Sequence, residues 1–115
     1  MAIEIIIKSI VGSNAISMNT GRQVRERIRE EWDLHEKITL NFEGVKIYAS
    51  PFFNASVGSL LKDNSIENLQ AKLEFKLISD HGKNLLNLVI GNAIKFYNDT
   101  EGKTTDSLDK IKKDF

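Results

Sequence analysis

The stretch SPFFNASVGSLL at positions 50–61 holds the side chains best suited to recognition chemistry. Ser50 directly before Pro51 reads as a helix start. A serine hydroxyl accepts a hydrogen bond from a free first-turn amide, and proline suits the first helical position because its missing N–H would go unpaired there. An inward stripe of Phe53, Val57, Leu60 and Leu61 turns Phe52 about 100° aside, so at least one of the two aromatics is expected to stay partly exposed. Ser50, Phe52, Asn54 and Ser56 then form the expected partner-binding surface. The competing arrangement packs Phe52 under the connection 62–70 and uses Ala55, Ser56, Gly58 and Ser59 to admit a neighbouring helix. Gly58 inside a helix costs about 0.5–1 kcal/mol relative to Ala, so a backbone or a partner is expected to come close.

Catalytic chemistry is hard to place. The chain has no phosphate-cradling Gly-Lys loop, no G-x-S-x-G nucleophile turn and no His and carboxylate spacing that suggests a metal. His35 and His81 each lie beside a turn and read as ordinary surface histidines rather than acid–base groups. The expectation is a protein that is not an enzyme and takes no cofactor. Lys plus Arg and Asp plus Glu each number 16, which argues against a nucleic-acid clamp or a polybasic membrane anchor. Arg22, Arg25, Arg27 and Arg29 interleave with Glu26, Glu30 and Glu31, a solvated helix face with Arg22–Glu26 and Arg27–Glu31 as i, i+4 pairs. The absence of cysteine removes disulfides and thiolate metal sites and fits a reducing compartment. The opening MAIEIIIK is acidic too early for a secretory signal and too short to span a bilayer. A cytoplasmic location and a protein partner are expected; a homo-oligomer is left open.

At 115 residues the chain has length for one core. Ile3–Ile10 reads as a strand covered at least partly on both faces. A second short strand around Ala15–Ser17 precedes a helix capped by Asn19 or Thr20 and running to about Trp32 on the stripe Val24, Ile28, Trp32. Lys37–Phe42 alternates as a strand, Glu43–Gly44 turns, and Val45–Tyr48 is extended again. The polar connection 62–70 is expected to be mobile, with a short helical turn between Ser65 and Gln70. The strand 71–78 puts Leu73, Phe75 and Leu77 on the core side; His81–Gly82 marks a turn. The helix 85–97 has the widest apolar face. The predicted core is Ile5, Ile7, Leu40, Phe42, Leu73, Phe75, Leu77, Val89 and Ile90. Alternation of strands and helices predicts an α/β fold, with sites beyond the carboxyl ends of the strands, where Ser50 falls.

NTGRQVRERI (19–28), ITLNFEGV (38–45), SPFFNASVGSL (50–60) and LLNLVIGNAIKFY (85–97) resemble, in sequence and order, the STAS-like domain family of unassigned function. That family takes its name from sulfate transporter and anti-sigma factor antagonist domains. The resemblance implies a STAS-like single domain over 1–97, a mixed, mostly parallel sheet of four to five strands packed with helices. It leaves 98–115 as a polar tail with a short helical stretch at Ser107–Lys113. It also implies a non-catalytic regulatory module partnering a histidine-kinase-like ATPase in a bacterial switch. In sigma-factor antagonists an Asp-Ser-Ser-Gly type motif precedes the second helix, and a serine there is phosphorylated. YASPF (48–52) departs from it: Ala49 replaces the aspartate and Pro51 falls on the usual acceptor, leaving Ser50 either as a cap or as the one phosphorylatable hydroxyl. The alternative function is a small-ligand or nucleotide sensor around Ser50, Asn54 and Ser17.

Overall fold

The computed structural model describes residues 2–98; the tail expected in the sequence lies, from residue 99 on, outside the described residues. Five short strands and five α-helices follow one another: β1 (Ala2–Ile6), α1 (Lys8–Val11), β2 (Asn14–Ala15), α2 (Met18–Glu31), β3 (Lys37–Asn41), β4 (Ile47–Tyr48), α3 (Ser50–Ala55), α4 (Ile66–Lys72), β5 (Leu73–Lys76) and α5 (Asp80–Asn98), with a 3-10 turn at Gly58–Lys62 between α3 and α4. The strands form two sheets, β1-β3-β5 and β2-β4. Every ladder among the described residues is parallel: β1 pairs with β3 from Ala2↔Lys37 to Ile6↔Asn41, and β3 with β5 from Ile38↔Leu73 to Asn41↔Lys76. The second sheet pairs Asn14 with Ile47 and Ala15 with Tyr48.

One face of the main sheet makes the core. Period-two alternation sends Ile5, Ile38, Leu40 and Leu73 inward, where they meet Ile7, Phe42, Val24, Ile28, Leu86, Val89 and Ile90. Phe42 lies 6.3 Å from Phe53 and 6.0 Å from Phe75, ring centroid to centroid. The other face is open, which corrects the expected cover over β1: Ile6 is exposed there. It carries a polar network instead, with Asn41 Nδ2 donating to Glu4 Oε2 (2.5 Å) and Thr39 Oγ1 to Glu74 Oε1 (3.1 Å).

Several boundaries differ from the sequence reading for identifiable reasons. Ser17, not Asn19 or Thr20, caps α2; its hydroxyl accepts from Thr20 N at 3.1 Å. Arg27 pairs with Glu31 as expected, but Arg22 does not pair with Glu26, whose carboxylate serves Arg25 (3.0 Å) and Arg29 (3.6 Å). The segment 62–70 is packed: Ser65 caps α4 by accepting from Asn68 N, and Ile66 and Leu69 are buried. His81 and Gly82 do not form a separate turn but open α5, because the Ser79 hydroxyl accepts from Gly82 N and caps the helix. Leu77 leaves the predicted core: it sits just past β5 at φ +58° and is 58% exposed. α5 buries Leu86, Val89, Ile90 and Ile94 but leaves Leu88 and Phe96 in solvent, so its apolar face is only partly used.

Candidate functional site

The expected single helix from Ser50 to Leu61 is broken. α3 ends at Ala55, and the chain tightens into the 3-10 turn from Gly58. Serine side chains accompany the break: Ser56 Oγ donates to Phe52 O (2.9 Å) beside the Ser56 N bond to the same carbonyl (3.0 Å), and Ser59 Oγ donates to Ala55 O (2.8 Å), back-bonding of the kind that bends helices. Ala49 holds the N-cap position, and Ser50 and Pro51 occupy the first two helical positions. Ser50 therefore is not the cap. Its hydroxyl makes no hydrogen bond to another described residue, while Ala49 N donates to Ala15 O at 3.0 Å and ties the start of α3 to the end of β2.

The predicted surface divides in two. Ser50 is half-buried and Asn54 exposed, as an accessible site requires. Phe52 and Ser56 are fully buried, which corrects the expectation of an exposed aromatic: Phe52 packs edge-on to Phe53 with centroids 5.3 Å apart, and Ser56 spends its hydroxyl on Phe52 O. The small residues have an intramolecular use. A Cβ on Gly58 would lie 3.2 Å from Val89 Cγ1 of α5, and one on Gly21 of α2 would lie 2.5 Å from Phe52 O. Those two glycines set how closely α5 and α2 approach the α3 segment.

The close approach of α2 and α3 leaves a groove of about 380 Å³ along their seam. Met18, Arg22 and Arg25 of α2 form one wall; Pro51, Asn54 and Ala55 of α3, with Ser59, form the other. Met18, which lines the groove, is 53% exposed, and Ile16, which follows the Ala15 carbonyl bonded to Ala49 N, is 40% exposed. Arg25, expected to belong to an unrelated solvated helix face, is brought beside Asn54. Ser17, Ser50 and Asn54 do not converge on this groove: Ser17 caps α2, and of the three only Asn54 lines it. Met18 and Arg22 belong to the site although the sequence does not single them out for it, because with Ser17 as cap α2 starts two or three residues earlier than a cap at Asn19 or Thr20 implies. The signal was present in Gly21, a glycine inside an amphipathic helix beside which a second helix must run.

His35 and His81 stay apart from the groove. His35 Nε2 lies 3.0 Å from Glu31 Oε1, and His81 is exposed in the first turn of α5. Among the described residues no three His, Asp or Glu side chains gather to hold a metal ion, and no helix is long and apolar enough to cross a membrane.

A family model described as a STAS-like domain of unknown function (DUF4325) matches residues 20–83, more than half of the chain. The match runs from the start of α2 to the first turn of α5 and contains both walls of the groove apart from Met18. No curated protein and no solved structure matches the chain. With the parallel β/α architecture described above, this match places the chain as a member of the STAS-like domain family of unknown function.

Proposed function

We propose that this chain is a non-catalytic regulatory module that acts by binding another protein, with the head of the α2–α3 seam as its contact surface. The supporting observation is the juxtaposition there of exposed Ile16 and Met18 with accessible Ser50, Pro51 and Asn54. Exposed apolar side chains next to groups with free hydrogen-bonding capacity suit a protein interface, where an apolar centre is rimmed by polar groups. A histidine-kinase-like ATPase is the partner class that the family resemblance implies. The unpaired Ser50 hydroxyl is the group that a partner kinase would modify, and a phosphate there adds close to two negative charges at the interface.

The test uses a photo-crosslinking side chain introduced at Asn54 and, in a second preparation, at Lys95 of α5, expressed in the cells that naturally make the protein. A single dominant adduct from position 54 and none from 95 is expected, with an ATPase as the captured chain. Affinity for the purified partner should then fall at least tenfold in Asn54→Arg and change in Ser50→Glu. Equal crosslinking from both positions, or full affinity in Asn54→Arg, would move the interface elsewhere. An unaffected Ser50→Glu would remove the charge switch.

A further inference from the structure

We propose that the α2–α3 groove recognises an acidic segment of a partner protein, in which a carboxylate side chain neighbours an aliphatic one. The proposal rests on the protein-binding reading above and specifies the chemistry of what is bound.

The argument is one of charge that the fold leaves uncompensated. α2 carries four arginines, and three have carboxylate partners: Arg27 with Glu31, Arg25 with Glu26, and Arg29 with Glu26 and, at 3.7 Å, Asp63. Arg22 has none among the described residues, and it is exposed. Arg22 and Arg25 are one helical turn apart and both line the groove, on the same wall. The facing wall supplies Pro51, Asn54, Ala55 and Ser59, none of them acidic. Arg25 shares its one carboxylate with Arg29, which leaves the groove net positive although the chain as a whole is neutral.

A planar guanidinium with a forked set of donors matches a carboxylate, and Arg is the side chain suited to that pairing at an interface. Asn54 adds an amide donor on the opposite side, where the Ser59 hydroxyl is already donated to Ala55 O. The remaining lining is apolar. Met18, a flexible and polarisable side chain at the groove head, with Pro51 and Ala55, accepts an aliphatic neighbour of the carboxylate without demanding one shape. Charge and apolar surface thus point to one occupant, an acidic and aliphatic peptide segment. A polyanion is disfavoured because the other cations of α2 are already neutralised by carboxylates on or beside the helix.

The probe is a fluorescein-labelled peptide of alternating Glu and Leu, titrated with the full chain and followed by anisotropy. An otherwise identical peptide with Gln for Glu is the control. The Glu peptide should bind and the Gln peptide should bind at least tenfold more weakly. Arg22→Glu and Arg25→Glu should each weaken binding at least tenfold, and Arg22→Gln by several-fold. Lys95→Glu should change it less than twofold, and raising the salt should weaken it. Thermal melts of the variants confirm folding. Equal binding of the two peptides, absence of binding to the Glu peptide, or unchanged affinity in Arg22→Glu would overturn the proposal. Complete displacement by an equal concentration of inorganic phosphate would also overturn it, because the groove would then be a simple anion site. Failure of the peptide with crosslinking at Asn54 retained would remove only the acidic segment. Peptide binding with crosslinking shifted to Lys95 would remove only the protein-module reading.

Discussion

The same substitution should act with opposite sign at two helical glycines. Replacing Gly with Ala inside a helix ordinarily stabilises by about 0.5–1 kcal/mol through lower backbone entropy in the unfolded chain. At Gly91 of α5 a new Cβ meets nothing within 4 Å, so Gly91→Ala should realise that gain and raise the melting temperature by about 3–6 °C. At Gly21 the Cβ would fall 2.5 Å from Phe52 O and 2.9 Å from Ala55 Cβ. Carbon atoms prefer about 3.5–4 Å, so α2 and α3 must separate by roughly 0.6–1 Å or more. The nearest obstacle is a backbone carbonyl, which cannot swing aside as a flexible side chain can. Overpacking of this kind costs about 1–3 kcal/mol. With a backbone obstacle the cost falls in the upper half of that range, about 2–3 kcal/mol, and set against the helix gain it leaves a net loss of about 1–2.5 kcal/mol, a fall in melting temperature of about 5–15 °C. Thermal and urea unfolding of the three proteins side by side give the measurement. A Gly21→Ala protein as stable as its parent would show that α2 does not lie against α3 as described. A destabilised Gly91→Ala would show that another group covers that face of α5.

The remaining predictions separate the buried half of the strand-end segment from its accessible half. Phe52→Ala should cost about 3–5 kcal/mol, whereas Asn54→Ala should stay within about 0.5 kcal/mol of the parent; equal urea midpoints for the two would contradict the burial of Phe52. Leu77→Gly should raise the urea midpoint, because a side chain at φ +58° costs roughly 1–2 kcal/mol that glycine does not incur, and the leucine is too exposed to repay it in packing. A lowered midpoint would show that Leu77 is held by a contact. Leu40→Ala, at a fully buried central-strand position, should cost about 2–5 kcal/mol; little change would count against the position of β3.

The elements with clean periodicity were legible in the sequence. Ile38, Leu40 and Phe42 alternate and are buried; Val24 and Ile28 recur at helical spacing and are buried. What misled was local. Ser50 beside Pro51 has the composition of a cap and first turn, but Ala49, tied through its N–H to Ala15 O, takes the N-cap position and the helix begins one residue earlier, at Ser50. Leu77 keeps the alternation of Leu73 and Phe75 but falls after the last ladder residue, where the backbone turns left-handed. An exposed Phe52 follows from the sequence only for a helix with one neighbour. α3 in fact packs against both α2 and α5, so a residue about 100° off the inward stripe is still inside. The groove itself could not be read, since it depends on which two helices touch. Pairing between helices leaves only indirect marks in a sequence, here Gly21.

The alternating visits to the two sheets carry a consequence for how the chain reaches its native state. Ile3 is partnered with Ile38, and Ile38 with Leu73, so each ladder of the main sheet joins segments thirty-five positions apart. Among the described residues no hairpin is present to nucleate it. Each pairing must first close a long loop, the topology that slows folding most. Among the described residues β1 pairs with β3, so while synthesis proceeds the isoleucine-rich β1 waits for this partner until Lys37–Asn41 has left the ribosome, and through that interval it is a β-prone segment open to pairing with another nascent copy. Glu4 is its one acidic interruption and Lys8 the first basic residue after it. These two charges are what stands between the waiting strand and self-association, and their removal should lower soluble yield even where the folded protein's stability is unchanged.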